Sequence, residues 1–160
     1  MEKVKAFCKR KNIEISVKRY LIDALGAMAQ GLFASLLIGT IISTLGTQLN
    51  IPILVTVGTY AKAAVGPAMA IAIGYALQAA PLVLFSLAAV GAAANELGGA
   101  GGPLAVLVVA IFAAEFGKAV SKETKIDIIV TPFVTIFVGV ALSIWWAPAT
   151  VSYTHLRAHE

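Results

Sequence analysis

The chain is poor in what a water-soluble domain needs. Only 12% of its 160 residues are charged. A fold of this size could not cover its surface with so few polar groups, which excludes a soluble enzyme, a nucleic-acid binder and a disordered tail. Cysteine is nearly absent: Cys8 stands alone, so there is no disulfide and no thiolate metal site. Histidine is scarcer than its count of two implies, because His155 and His159 both fall in the last ten residues. Residues 1–150 therefore offer no histidine base, phosphoacceptor or metal ligand. No nucleophile–base pair and no phosphate loop is present either. The glycine cluster 98–103 lacks the Gly-Lys-Ser/Thr ending that a phosphate loop requires. No catalytic residue, metal site or cofactor is expected in this chain, and whether it is part of an enzyme is left open by the residues.

What is there is apolar: 59% hydrophobic residues and a mean hydropathy of +0.91. Such a composition belongs to an integral membrane protein. The net charge of +4 is unevenly placed. Residues 1–19 hold seven Lys and Arg against two Glu, a net +5, whereas 20–150 hold four Lys against five acids. A basic segment directly before the first apolar run reads as the cytoplasmic anchor of a membrane helix, near anionic headgroups, with no nucleic-acid partner.

The tail VSYTHLRAHE breaks the pattern. It is polar and reads residue for residue as a translated sequencing-library adapter, so 150–160 is expected to be non-native and is set aside from functional argument. The expected organisation is a basic N-terminal segment, 1–19, and a truncated membrane domain, 20–149, whose natural continuation lies beyond Ala149.

The apolar runs are Tyr20–Leu45, Gly66–Gln78, Leu82–Leu97, Leu104–Val120 and Ile128–Trp146. Twenty-six helical residues in the first reach about 39 Å, enough to cross a hydrocarbon core of about 30 Å. Pro52, Gly58 and Lys62 mark Leu49–Lys62 as a loop or interfacial segment. The expected fold is all-α: a polytopic transmembrane bundle of about five spans with a glycine-rich break at 98–103. Parity supports the count. Lys118, Lys122 and Lys125 should share the side of the basic N-terminus, which requires an even number of crossings, four, between them. Gly31, Ser35, Gly39 and Ser43 recur every four residues and make a face on which another helix can pack closely.

Polar groups at membrane depth and broken helices are where a transporter binds its cargo. Glu115 follows about three turns of apolar helix; Lys118, three residues on, offers an intrahelical ion pair as its simpler explanation. Gln78 precedes the break at Pro81. Asn95 and Glu96 could hydrogen-bond hydroxyls, and Gly99 and Gly101 could expose backbone groups if 98–103 dips into the membrane. The alternative is a plain hairpin turn on the outside. The candidate substrate-binding set is thus Gln78, Asn95, Glu96, Gly99, Gly101 and Glu115.

The segments KRKNIEISVKRYLIDALGAMAQGLFASLLIGTII, GPAMAIAIGYALQAAPLVLFSLAAVGAAANELGGAGGPLAV and AAEFGKAVSKETKIDIIVTP resemble a bacterial family of enzyme IIC-like membrane proteins. These are labelled phosphotransferase-system sugar transporter subunit IIC and are related to a PfoR-like group. The resemblance covers nearly all of Met1–Ala147. It implies a permease subunit in the bacterial inner membrane, N-terminus cytoplasmic, that moves a sugar for phosphorylation by a partner IIB protein. The implied partners are the sugar, cytoplasmic IIA and IIB proteins, the lipid bilayer and, in the full-length form, further copies of the chain. Two departures stand out: better-known IIC proteins place a histidine and a glutamate near the sugar, and Met1–Ala149 has no histidine; Cys8 does not sit in a IIB-type domain. An ion-coupled solute transporter and a non-transporting membrane regulator are the alternative readings.

Overall fold

The computed structural model describes the backbone of residues 1–11, 13 and 16–157; the side chains of residues 100 and 147–157 lie outside the description. The polar tail set apart above falls largely there, with helical backbone to Arg157. Among the described residues every regular element is a helix. They are α1, Glu2–Arg10; α2, Lys18–Gln48; α3, Pro52–Ala63; α4, Val65–Ala76; α5, Pro81–Leu97; α6, Gly102–Val120; and α7, Asp127–Arg157.

Three helical stretches are long and apolar enough to cross a membrane: Lys18–Gln48, Gly102–Val120 and Asp127–Trp146. The α3–α4 pair qualifies as a fourth if counted as one span with a 46° bend, and α5 falls just short at 17 residues. Three to four stretches thus meet the length and hydropathy needed to cross, against the about five expected; α5, the expected Leu82–Leu97 span, is the one too short.

Leu49–Lys62, expected as a loop or interface, is instead mostly α3. Pro52 occupies the first turn of α3, where its missing N–H costs nothing, so it starts the helix rather than breaking it. Gly58 faces Gly39 of α2 so closely that an added Cβ would meet the Gly39 carbonyl oxygen at 2.5 Å. The break falls later, at Ala64. Pro67 sits in the first turn of α4 and cannot return a hydrogen bond to the preceding turn, which accounts for the bend.

α2 runs antiparallel along the whole bent pair, its Ile38–Gln48 turns on α3 and its Ala24–Leu32 turns on α4. The small-residue face makes this possible. Added Cβ atoms at Gly31 and Gly46 would lie 2.6 Å from the Ala68 carbonyl oxygen and 2.7 Å from the Val55 nitrogen. Without a hydrophobic drive between helices inside lipid, such backbone approach is a principal source of packing attraction. The small-residue stripe is a helix–helix seam.

The core lies where α4, α5, α6 and α7 converge. Met69, Ile73 and Leu77 of α4, Val83, Leu87 and Val90 of α5, and Val106, Val109 and Ala110 of α6 are buried there. Large apolar residues face outward all round: Phe33, Phe85, Phe116, Phe133, Phe137 and Trp145 are each more than half exposed. So much exposed aromatic surface would be untenable in water and suits lipid. The hydroxyls obey the same solvent. Ser35, Ser86, Thr135 and Ser143 donate to the carbonyl four residues back, at 2.7–2.8 Å, so each is satisfied within its own helix.

Candidate functional site

Charge gathers at one end of the bundle. α4 closes through a Schellman arrangement: Ala79 N–H donates to the Gly74 carbonyl and Gln78 N–H to the Tyr75 carbonyl, both at 3.0 Å. The motif needs a left-handed residue, ordinarily glycine, and Gln78 fills it with φ +59°. The cap leaves the Leu77 carbonyl pointing past the helix end with no backbone donor. Two cations fill it: Arg19 Nη2 of α2 and Lys118 Nζ of α6 each donate to Leu77 O at 2.8 Å. One carbonyl thereby ties together three helices.

Lys118 is 2% exposed and also pairs with Glu115 Oε1 at 2.9 Å, one turn earlier on α6. This is the intrahelical pair that the spacing suggested. The Tyr20 side chain approaches the same carboxylate. Glu115 thus lies in a polar knot of Arg19, Tyr20, Lys118 and Leu77 O, at the end where α2 begins and α4 and α6 finish.

Next to the knot, the N-terminal segment returns to the loop after α6. Glu123 accepts from Arg10 Nη2 at 3.0 Å and from Lys11 Nζ at 2.6 Å, and Lys11 Nζ also donates to the Ser121 carbonyl. The hydrogen bond from Lys11 holds the Glu123 carboxyl below its ordinary value, against the opposing effect of burial and with help from the charges of Lys11 and Arg10. Between these groups and the α4–α5 turn lies a cavity of about 520 Å³. Gln78, Pro81, Lys118 and Lys122 line it together with Arg10, Lys11 and Glu123. The contact between Arg10 and Glu123 puts the N-terminus and the 121–126 loop on one side, with α2, the α3–α4 pair, α5 and α6 between them. That arrangement is the even parity expected from the lysines.

The other candidates sit at the opposite end. Residues 98–103 are a tight connection: a 3-10 turn, Gly99–Gly101, joins α5 directly to α6, and Gly98 and Gly101 N–H both have backbone acceptors. Gly99 has φ +52° and open space where a Cβ would stand, so its role there is conformational. Asn95 is half-buried against Gly102 and Gly66, whose added Cβ atoms would lie 2.7 and 2.8 Å from its side chain. Glu96 and Gly99 are exposed, and Gly101 is half-buried. At 1.5 Å per helical residue, the 14 residues from Pro81 to Asn95 separate the two ends by about 21 Å. Gln78 and Glu115 therefore form one group, and Asn95, Glu96, Gly99 and Gly101 another. A single small sugar could not touch both.

Sequence reasoning missed the Arg10–Lys11–Glu123 contact, the Leu77 hub and the cavity. A usable signal existed for the first: Glu123 is the one acid among the lysines of a loop that parity already placed beside the basic N-terminus.

An apolar exterior, backbone-close helix seams, hydroxyls satisfied within their helices and charges gathered at the helix ends define a multi-pass membrane protein. Comparison with known families then fixes which kind. The chain belongs to the phosphotransferase system EIIC family, whose sequence profile matches residues 22–156. No curated protein and no solved structure matches it. Membership makes it a membrane component of a phosphotransferase system.

Proposed function

We propose that this chain forms part of the path by which a sugar crosses the bacterial inner membrane and is handed to a partner IIB protein for phosphorylation. The family match over 22–156 carries the reading. The charge distribution supports an orientation with Met1–Lys11 and the 121–126 loop in the cytoplasm, where IIA and IIB proteins reside. In this reading the two candidate groups serve opposite ends of a path. Asn95, Glu96, Gly99 and Gly101 lie toward the outer mouth, where amide, carboxylate and exposed backbone can meet sugar hydroxyls. Gln78 and Glu115 lie toward the inner end. The full-length protein is expected to work as a homo-oligomer.

The test is uptake of a broad sugar panel by vesicles carrying the full-length protein, with phosphoenolpyruvate and the phosphocarrier proteins on the cytoplasmic side. At least one sugar should accumulate only when phosphoenolpyruvate is supplied. Uptake that persists without the phosphocarrier proteins and collapses with an uncoupler would instead identify an ion-coupled transporter. No uptake of any sugar would leave a membrane regulator.

A further inference from the structure

The cavity between the N-terminal segment and the helix ends has features that the translocation reading does not use. Among the described residues that line it, Arg10, Lys11, Lys118 and Lys122 face a single carboxylate, Glu123. The lining is therefore strongly cationic. These cations come from three separate parts of the chain: the end of α1, the last turn of α6 and the loop after it. They are brought together by folding: Lys118 is buried and Lys11 half-buried, while Arg10 and Lys122 stand at the exposed rim. The cavity also abuts the N-terminus of α5, a 17-residue helix whose first turn begins at Pro81. The unpaired N–H groups of that turn, and the helix dipole behind them, add positive potential.

Two of the three described non-glycine residues with positive φ, Gln78 at +59° and Lys122 at +61°, line this same space. Lys122 is fixed in its conformation by an N–H donated to Asp127 Oδ1 at 2.6 Å. The Schellman cap of α4 holds Gln78 in this conformation, and the Asp127 carboxylate holds Lys122, so both walls of the cavity have a fixed backbone. Here both such residues bound the same cavity.

We propose that this cavity binds a phosphate-bearing anion. Lys118 is already paired with Glu115 and the Lys122 N–H with Asp127, yet Arg10, Lys11 and Lys122 still outnumber the lining carboxylate Glu123, and Arg10 presents the planar fork that grips phosphate oxygens bidentately. A volume of about 520 Å³ holds a phosphate group together with a small organic substituent. The cavity opens where α4 and α6 end and α5 begins; helix ends of a membrane-spanning bundle lie near the headgroups, so a phosphate can arrive from the bilayer as a lipid headgroup or from the aqueous side as a free ester. The chemistry is shared, and only the source differs. Glu123 already occupies part of the cation cluster and fixes Arg10 and Lys11 in place for the incoming anion. The inference is independent of which solute the protein transports.

The test uses the full chain in nanodiscs of phosphatidylcholine, titrated separately with glycerol 3-phosphate and with dioctanoyl phosphatidylglycerol. Saturable binding of either probe is expected, weakening as salt rises. Arg10→Ala/Lys122→Ala, which changes two exposed side chains, should weaken it at least tenfold, while Lys125→Ala should stay within twofold. Binding of the water-soluble ester assigns an aqueous source, and binding of the lipid alone assigns a headgroup source; either upholds the proposal. Failure of both probes to saturate overturns it. So does an equal loss in Lys125→Ala, which would show general attraction to a basic surface. Circular dichroism of the variants, unchanged from the parent, separates loss of the site from loss of the fold.

Discussion

At the residue scale the molecule turns on Leu77, an apolar side chain whose carbonyl does the polar work. The fold leaves that oxygen uncapped, and Arg19 and Lys118 complete it. Lys118 is almost fully buried, so its charge is tolerated only because Glu115 and Leu77 O surround it. Replacing Lys118 by Met should cost about 3–5 kcal/mol, since it strands the Glu115 carboxylate in a low-dielectric site. Glu115→Leu/Lys118→Met should recover most of that loss, because an apolar pair of similar volume needs no solvation. Thermal unfolding of the detergent-solubilised full-length protein reads both, and additive losses in the double variant would contradict the account. The spacing of Glu115 and Lys118 made their pair legible in the sequence. Gln78 in the left-handed cap was not, since the usual glycine signal is absent, and no sequence pattern marks a carbonyl that only the fold exposes.

Glu123 sets a pH dependence at the surface. Its carboxyl is held below the ordinary value, chiefly by the hydrogen bond from Lys11. A carboxyl whose folded value is depressed contributes above its unfolded value, and the contribution is lost as pH falls through the folded one. The tether of α1 to the 121–126 loop is therefore complete at neutral pH and released in acid. Spin labels at Lys5→Cys and Thr124→Cys, in a Cys8→Ser background, should give a narrow distance distribution at pH 7 that broadens below the ordinary carboxylate range. A distribution unchanged by acid would refute the tether.

At the element scale the seam between α2 and the α3–α4 pair rests on glycine. A Cβ at Gly58 would lie 2.1 Å from Ser43 Oγ and 2.5 Å from the Gly39 carbonyl oxygen, so backbone must move to admit it. Gly58→Leu should destabilise the protein by about 3 kcal/mol or more, the upper range for overpacking. Gly26, with nothing within 4 Å of an added Cβ, is the control. Gly26→Ala should be neutral or stabilising by up to about 1 kcal/mol, from helix propensity alone. Equal effects on melting temperature at the two positions would contradict the seam. The repeat of small residues in α2 was readable because its period is helical. Its partner α3 was not, because Pro52, Gly58 and Lys62 together resemble loop chemistry. Proline reads as a breaker until its place in the first turn is known, and glycine reads as flexible until the helix it packs against is known.

At the scale of the whole molecule, composition was decisive for the solvent and for the helical class, because a chain this apolar has few alternatives. Parity carried the topology further: three lysines and a basic N-terminus predicted a shared face, and the Arg10–Glu123 contact places the two together. The division of the candidate site was out of reach, since Gln78 and Asn95 stand close in sequence but a helix of 17 residues holds them at opposite ends. Family membership shows a membrane component of a phosphotransferase system; the central proposal built on it is that sugar enters the cell through this protein coupled to phosphoryl transfer. The most direct measurement is the chemical state of the sugar delivered into right-side-out vesicles that carry the full-length protein and are loaded with phosphoenolpyruvate, the phosphocarrier proteins and the partner IIA and IIB proteins. The account predicts that the sugar recovered from the lumen is a phosphate ester; unmodified sugar accumulating there would contradict it.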